Sequence, residues 1–239
     1  MRIILITLPF LALAACGTAN SESRDAGPAG SRNFAVGAFD AVSLEGSDDV
    51  RIVRGPAISV VANGSQSVLD KLDIRVDGSM LKVGRKREGW RMGWSRDKGA
   101  VITVTVPSVK AVDVAGSGDM MLDRADGATF DGSVAGSGSL QIAAMTVKRA
   151  KLSIAGSGNL MAVGASEDSA LSIAGSGDLD AAKLQSRRAD ISISGSGDLS
   201  SAASDSASIS IAGSGNATVT GTDKCTINKV GSGEARCSR

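Results

Sequence analysis

Hydrophobic and polar residues alternate in short, similar segments through the second half of the chain. Apolar residues stand two positions apart, as in Leu152 and Ile154 or Leu179 and Ala181, with Ser or Asp between them. Because side chains alternate between the two faces of a β-strand, this pattern predicts strands that bury one face. No segment of this part contains an uninterrupted helical pattern of ten or more residues.

Seven Gly-Ser-Gly triplets separate these segments at nearly constant intervals. They begin 20, 20, 19, 20, 18 and 18 residues apart, at Gly116, Gly136, Gly156, Gly175, Gly195, Gly213 and Gly231. Each unit therefore consists of two strands joined by a triplet, followed by a polar connector such as residues 183–189. One unit has a weaker pattern, because Leu199 is followed two positions later by Ser201.

The repeat predicts an all-β fold, a parallel β-helix (β-solenoid) with about 20 residues per turn. Stacked turns pair every strand and build a continuous inner column that no single turn could bury alone. Glycines suit the corners, where the backbone adopts a positive φ or approaches its neighbour closely. A β-sandwich is the alternative, but it does not explain the constant interval.

Residues 33–110 lack the triplet but have a strand-like pattern as well. Residues 39–53 follow the same rhythm, with the sequence EGSDDV in the place of the corner. Asp77-Gly78 predicts a hairpin turn, and residues 65–71 fit one short helical turn. We therefore expect a less regular β portion before the repeat.

The first residues resemble a lipoprotein signal peptide. A basic start is followed by an apolar stretch that is too short to remain as a membrane span. It ends in Leu-Ala-Ala-Cys, the pattern of a bacterial lipobox, so we expect Cys16 to be lipidated and to anchor the chain in a membrane. The residue directly after Cys16 is Gly17 and not Asp, which resembles lipoproteins that are sent on to an outer membrane. The alternative is a plain signal peptide with an incidental Cys.

The chain divides accordingly into a leader, a tether and one domain. The predicted leader is a signal peptide over residues 1–15. The lipidated Cys and a flexible tether of small and polar residues follow over 16–32. A single solenoid domain extends over 33–239, in which residues 33–110 form irregular first turns with a basic Trp loop and residues 111–239 form the repeat turns.

Two cysteines remain when Cys16 is set aside. Cys225 and Cys237 are an even pair in an exported protein, which predicts a disulfide at the C-terminal end of the fold. Two free thiols are the alternative. We predict no metal site, because the chain has no His and no C-x-x-C spacing, and we predict no cofactor.

Charge is balanced overall but concentrated in one segment. The formal net charge is +1, which gives no general attraction to nucleic acid, and we exclude nucleic acid as a partner. Residues 85–98, however, hold six basic and two acidic residues and both Trp. Interleaved Trp and basic side chains can bind sugars or anionic surfaces. The candidate binding residues for a surface glycan or an envelope component are Arg85, Arg87, Trp90, Arg91 and Trp94. The alternative is a hairpin tip whose Trp side chains pack against the solenoid.

The residues after the triplets would form one row if the turns stack in register. They are Asp119, Ser139, Asn159, Asp178, Asp198, Asn216 and Glu234. Calcium-binding repeats recur about every nine residues and supply about six to eight oxygen ligands to each ion. Because only four of these seven side chains are carboxylates, we favour hydrogen bonds to neighbouring backbone amides over calcium.

Catalysis has little support in the sequence. The chain contains no His, which excludes Ser-His and Cys-His nucleophile pairs and His general bases. Paired Asp side chains such as Asp178 and Asp198 leave open a polysaccharide-active enzyme. Stacking alone would bring those two within about 5 Å of each other, however, so the pair is weak evidence.

Several motifs, taken in order, resemble the bacterial GIN-domain family, described as a putative auto-transporter adhesin head domain. They are FDAVSLEGSDDVRIVRGPAISVVANGSQSVLDKLDIRVDGSMLKV, VITVTVPSVKAVDVAGSGD and the serial AGSGD units, between Phe39 and Cys237. The resemblance implies a right-handed parallel β-helix, frequent lipoprotein forms and no catalytic residues.

From this resemblance and the residues together we predict a non-catalytic, adhesin-like binding or structural module of the cell envelope. A polysaccharide-active hydrolase or lyase is the alternative. A groove of converging carboxylates or of Lys and Arg on one face would favour the enzyme. A featureless flank with one aromatic loop would favour binding.

Overall fold

The computed structural model describes residues 28–86 and 99–239 of the chain. The first part forms short strands and one helix: β1 (Ala29–Phe34), β2 (Ala41–Gly46), β3 (Asp49–Arg54), β4 (Ser59–Ser65), α1 (Gln66–Lys71), β5 (Leu72–Asp77), β6 (Met80–Arg85) and β7 (Val101–Val106). The repeat forms β8 (Ala111–Gly116), β9 (Asp119–Leu122), β10 (Ala125–Gly136), β11 (Ser139–Gly156), β12 (Asn159–Gly175), β13 (Asp178–Gly195), β14 (Leu199–Gly213), β15 (Ala217–Thr220), β16 (Cys225–Val230) and β17 (Ala235–Ser238).

The repeat folds as a β-solenoid of about six turns with roughly 20 residues per turn. Equivalent residues of successive turns pair in parallel, so that Gly116 lies beside Gly136 and Gly136 beside Gly156. The Gly116 carbonyl accepts the backbone N–H groups of Ser137 and Gly138 at 2.9 and 3.0 Å. Backbone pairing therefore continues around the corner, and the predicted fold class is confirmed.

The turns that β10 to β14 build have three sides, one more than the sequence pattern predicted. We call the segment before the triplet the first side, the segment after it the second side, and the remainder the third side. Residues 183–189, expected as a polar connector, belong to β13, which is an unbroken strand. Leu184, Ser186 and Ala189 on this third side are buried. The expectation of a connector was wrong, because Ser and Ala at inward positions resemble exposed residues in sequence.

The interior is filled by columns of aliphatic side chains in register. One column on the first side runs through Val83, Leu44, Val114, Val134, Ile154, Ile173, Ile193 and Ile211, all of them buried. Full burial of one such side chain stabilises the fold by roughly 1.5–3 kcal/mol. The stacking of turns therefore provides the core.

One interior position of the first side is occupied by Gly132, and neighbouring side chains fill its space. Gly132 pairs with Leu152, and the adjacent turns carry large aliphatic residues at this position. The point that a Cβ on Gly132 would occupy lies 3.0 Å from Leu152 Cδ2, 3.3 Å from Leu140 Cδ2 and 3.4 Å from Cε1 of the fully buried Phe130 ring. The side-chain volume is thus exchanged between adjacent positions, which preserves close packing.

The N-terminal turns are irregular because the chain doubles back on itself. Strands β2 and β3 form a turn whose corner pairs Gly46 with Gly116, so the sequence EGSDDV does occupy a corner as predicted. The chain then crosses to the outer face of that turn, where β6 pairs with β2 and β7 pairs with β3. The β6–β7 turn is therefore the outermost of the parallel turns, and between its two strands residues 87–98 lie outside the described part of the chain.

Antiparallel strands and the helix close this end of the solenoid. Strand β4 pairs with β7 and with β1, and β5 pairs with β6 in a hairpin. The hairpin turns at Gly78, whose φ is 63°, as Asp77-Gly78 predicted. Helix α1 confirms the predicted helical turn and buries Val68 and Leu69. Within residues 28–86 and 99–239, no helix is long and apolar enough to cross a membrane.

Candidate functional site

A groove of about 690 Å³ lies where the third side meets the first. It crosses five successive turns, because its lining residues stand at equivalent positions in the paired strands. Three rows of residues line it. The outer row, on the third side, consists of Arg149, Asp168, Arg188, Ser206 and Lys224. The floor between the other two rows consists of Ala150, Ser169, Ala189 and Ala207. The row on the first side consists of Lys151, Ala170, Asp190, Ser208 and Thr226.

Small side chains create the concave shape. The floor residues are Ala or Ser and are buried, so no large side chain rises between the two flanking rows. Each floor residue stands six positions before a triplet, as Ala150 does before Gly156 and Ala189 before Gly195. The groove was not predicted from the sequence, although aligning the units on their triplets shows the recurrent small residue.

The charges of the groove are partly paired. The Arg188 guanidinium contacts the Asp168 carboxylate, with Nε donating at 2.7 Å and Nη2 lying at 2.6 Å. Lys151 Nζ lies 3.8 Å from an Asp131 carboxylate oxygen. Arg149 and Lys224 form no ion pair with any described residue. The lining therefore holds four cationic and two anionic side chains, and two of its cations are unpaired.

The row of residues after the triplets is engaged in backbone hydrogen bonds. Asp119 accepts the Ser139 N–H at 3.1 Å, and Asp178 accepts the Asp198 N–H at 3.1 Å. Asp49, which our sequence analysis did not include, extends the row by accepting the Asp119 N–H at 3.2 Å. These contacts support the interpretation that the row serves to hydrogen-bond backbone amides at the corners. In the described part of the chain, no group of three or more His, Cys, Asp or Glu side chains could hold a metal ion.

Cys225 and Cys237 form a disulfide, as the sequence predicted. Their Cα atoms lie 6.5 Å apart, in strands β16 and β17 of the last turn. Cys225 pairs in register with Ala207, and Cys237 with Val219, and both of those residues are buried. The disulfide therefore crosses the end of the interior column.

Of the predicted Trp loop, the structure describes only the base. Arg85 donates to the Asp48 carboxylate from Nε at 2.9 Å and from Nη2 at 2.7 Å. Asp48 is 1% exposed and also accepts the Ala100 N–H at 2.8 Å. Asp48 thus binds both ends of the loop, and Arg85 has an anchoring role there. The other predicted loop residues, Arg87, Trp90, Arg91 and Trp94, and the predicted lipidation site Cys16, lie outside the described residues.

The fold and the groove define a β-solenoid with one capped end and a charged groove along one corner. Solved structures share this architecture. A putative adhesin from Bacteroides fragilis has a TM-score of 0.80 at 17% identity, with 89% of this chain and 97% of that chain covered. A putative adhesin from Parabacteroides merdae has a TM-score of 0.70 at 17% identity, with the same coverage. A putative lipid binding protein from Parabacteroides distasonis has a TM-score of 0.70 at 23% identity, again with 89% and 97% covered.

The family model described as "Putative auto-transporter adhesin, head GIN domain" matches residues 38–223. The chain belongs to this family, as its motifs predicted. Its description as an adhesin family indicates an exported protein that is associated with the cell envelope. No curated protein matches the chain.

Proposed function

We propose that this protein is an adhesin-like module of the cell envelope that binds an extended polymer along its groove. The groove carries the proposal, because it crosses five turns in line with the solenoid axis. A polymer lying in it would meet side chains from equivalent positions of successive turns, about 4.8 Å apart. The adhesin descriptions of the family and of two structural neighbours support the same role.

A lipid ligand fits the groove less well. The Parabacteroides distasonis neighbour is described as lipid binding, but an acyl chain favours an enclosed apolar site. Here the rows that border the floor carry charged side chains such as Arg149, Lys151 and Asp190. A polymer with polar groups matches this lining better.

Two exposed alanines of β12 provide a direct test of the groove. Ala170 lies in the groove and Ala174 lies outside it on the same strand. The wild-type chain is titrated against a panel of envelope and surface polysaccharides, and each polymer that binds is repeated with Ala170→Trp and Ala174→Trp. We expect Ala170→Trp to abolish binding by filling the groove, and Ala174→Trp to bind as wild type. Equal binding by both variants would contradict the proposal.

The Trp loop is the other place for a glycan to bind. Trp90 and Trp94 supply flat rings beside basic residues, which is a chemistry suited to sugars. The variant Trp90→Ala/Trp94→Ala is therefore included in the same titration. Loss of binding in this variant, together with normal binding by Ala170→Trp, would move the site from the groove to the loop.

We further propose that the protein is an outer-membrane lipoprotein attached through Cys16. The Leu-Ala-Ala-Cys pattern after a short apolar stretch supports this attachment. In a bacterial host fed labelled palmitate, the wild-type chain should incorporate label and sediment with the outer membrane. Cys16→Ser should do neither, and Cys225→Ser is the matched cysteine control. Label in Cys16→Ser would refute the attachment.

A polysaccharide-active enzyme is the second candidate function, and the groove is the observation in its favour. Arg149, Lys151 and Arg188 stand close to Asp168 and Asp190 in one lining, an arrangement of the kind expected for that alternative. Asp168 is held by Arg188, which favours binding. Polymers that bind should be recovered at full length after long incubation with the protein. New chain ends that appear with wild type but not with Asp190→Asn would establish the enzyme.

A further inference from the structure

We infer that the groove selects an acidic polysaccharide, a polymer that carries both carboxylate and hydroxyl groups. This inference rests on the proposed function and names the ligand class of the same site. The observation behind it is the placement of the unpaired charges along the groove. This placement favours an acidic sugar chain over a neutral sugar chain and over other polyanions.

The unpaired cations stand near opposite ends of the groove. Arg149 lies in the turn at the N-terminal end, and Lys224 lies four turns further on, where its carbonyl accepts the Ala207 N–H at 3.0 Å. Four steps of about 4.8 Å place the two residues roughly 19 Å apart along the axis. A single acidic sugar cannot reach both of them, whereas an extended chain can place one carboxylate at each end.

The middle of the groove offers a different chemistry. Arg188 is neutralised by Asp168, and Asp190 forms no ion pair with any described residue. Its carboxylate can accept hydrogen bonds from ligand hydroxyl groups, and Ser206 and Ser208 beside it can donate or accept them. An acidic polysaccharide supplies hydroxyls for this segment and carboxylates for the two ends.

The same lining disfavours nucleic acid. A phosphodiester backbone presents few free hydroxyl groups to the Asp190 carboxylate, whereas every sugar of an acidic polysaccharide carries hydroxyl groups. Nucleic-acid grooves also offer aromatic side chains on which bases stack, and the residues that line this groove include none. Its floor of Ala and Ser also offers no pocket for the apolar side chains of an acidic peptide.

The test compares two forms of one polymer with the full chain. Polygalacturonate and its fully methyl-esterified form share a backbone and differ only at the carboxyl groups, which are charged in the first and neutral methyl esters in the second. Each exposed cation contributes up to about 1 kcal/mol, a factor of about five in affinity. We therefore expect the acidic form to bind roughly 25-fold more tightly, with the difference shrinking in high salt. Acidic fragments should gain affinity with length until they span both cations.

Substitutions that remove one positive charge show which residues cause the tighter binding of the acidic polymer. Arg149→Ala and Lys224→Ala should each weaken acidic-polymer binding about fivefold, and the double variant about 25-fold, because distant sites act additively. Lys148→Ala removes the same charge next to Arg149 but outside the lining, and it should bind as wild type. None of the variants should change binding of the esterified polymer.

The outcomes separate this inference from the proposed function. Equal binding of both polymer forms would overturn the inference, and so would a loss in Lys148→Ala equal to that in Arg149→Ala. In either case binding that Ala170→Trp abolishes would leave the groove as a polymer site. Preferential binding of single-stranded nucleic acid or of an acidic peptide would also overturn the inference. If no polymer of either charge binds, both proposals fail.

Discussion

Gly195 and Gly197 show how closely the backbones of neighbouring turns approach. A Cβ on Gly195 would lie 2.1 Å from the Gly175 carbonyl oxygen, and the φ of Gly195 is 134°. A Cβ on Gly197 would lie 2.1 Å from the Gly177 carbonyl oxygen. Both glycines of a triplet are therefore required, the first for its conformation and both for the close approach.

Among the described corners, the corner between β2 and β3 carries a side chain, that of Asp48, at the second glycine position. In each repeat corner, a Cβ would point at the preceding turn, as at Gly118, where it would lie 2.0 Å from the Asp48 carbonyl oxygen. The turn that precedes Asp48 is β6–β7, and the Asp48 carboxylate binds Arg85 at the end of β6 and the Ala100 N–H just before β7.

We predict that Gly195→Ala destabilises the protein strongly. The methyl group would meet backbone atoms, which cannot move aside as a flexible side chain would, and the φ would be strained. The expected loss is on the order of 3 kcal/mol or more. Urea unfolding measures it, with the exposed Ser196→Ala as the control. A change below about 0.5 kcal/mol in Gly195→Ala would contradict this account of the corner.

Ser201 is a polar residue at an interior position of the second side. It pairs in register with Ala181 and Val219, which are fully buried. Its Oγ atom is buried, and no described group forms a hydrogen bond with it. Removing a buried hydroxyl that lacks a partner avoids its desolvation cost, so Ser201→Ala should stabilise the protein by about 1 kcal/mol. Ser200→Ala at the preceding position is the control in urea unfolding, and destabilisation by Ser201→Ala would refute the prediction.

Among the elements of a repeat turn, the first and second sides could be predicted from the sequence pattern, and the third side could not. Val, Ile and Leu mark most inward positions of the first side, and alternation makes them visible. On the third side, inward positions hold residues such as Ser166, Ser186 and Ala203, which have no hydrophobic signature. The Ser166 and Ser186 hydroxyls are satisfied only by each other, at 2.9 Å across two turns. A pattern read within one turn cannot show such a pairing.

The N-terminal cap, residues 28–86, depends on ion pairs that acid should weaken. Hydrogen bonds from Lys110, Arg32 and Lys82 lower the pKa of Asp40, Asp70 and Asp77, respectively, below the ordinary value of 3.8. A carboxyl with a lowered folded pKa contributes stability that is complete above 3.8 and is lost as the pH falls through its folded value. In the described repeat turns, a lowered pKa is resolved for one carboxyl, that of Asp205, which accepts hydrogen bonds from Ser204 and Arg187. With three such carboxyls, the cap should loosen below about pH 4, before the repeat turns.

Pepsin digestion at about pH 5 and about pH 3, followed by mass spectrometry, measures this loosening. Cleavage should rise first within the cap at the lower pH, after correction for the pH dependence of pepsin on unfolded protein. The variant Asp40→Asn/Asp70→Asn/Asp77→Asn should already be cleaved there at the higher pH. First cleavage within β11 to β13 would contradict the prediction.

At the scale of the whole molecule, the solenoid has two ends, and each is closed differently. The cap covers the N-terminal end. At the C-terminal end, the aliphatic column that includes Ile211 continues with Lys229, whose Nζ donates to the Gly233 carbonyl at 3.1 Å. The Cys225–Cys237 disulfide crosses the end of the interior. An inward-facing charge and a covalent link protect edge strands from pairing with other chains, even though Val230 is 78% exposed.

We predict that loss of the disulfide opens the last turn without unfolding the rest. The bond closes a short loop, with a sequence separation of 12, which corresponds to about 3 kcal/mol. Each turn contacts only its neighbours, so the effect should remain local. In hydrogen exchange of Cys225→Ser/Cys237→Ser, β16 and β17 should lose protection, while β10 to β13 should exchange as in wild type. Uniform loss of protection would refute this local behaviour.

The sequence by itself determined the repeat, its corners, the two aliphatic sides and the disulfide pair, because spacing and alternation are local properties of the chain. Only the tertiary structure decided the third side, the groove and the reversed stacking of β6 and β7. Asp49 meets Asp119 across 70 residues, and no local pattern specifies which turn stacks on which. The groove depends on small residues from four turns lying in register. That arrangement exists only after the turns have stacked.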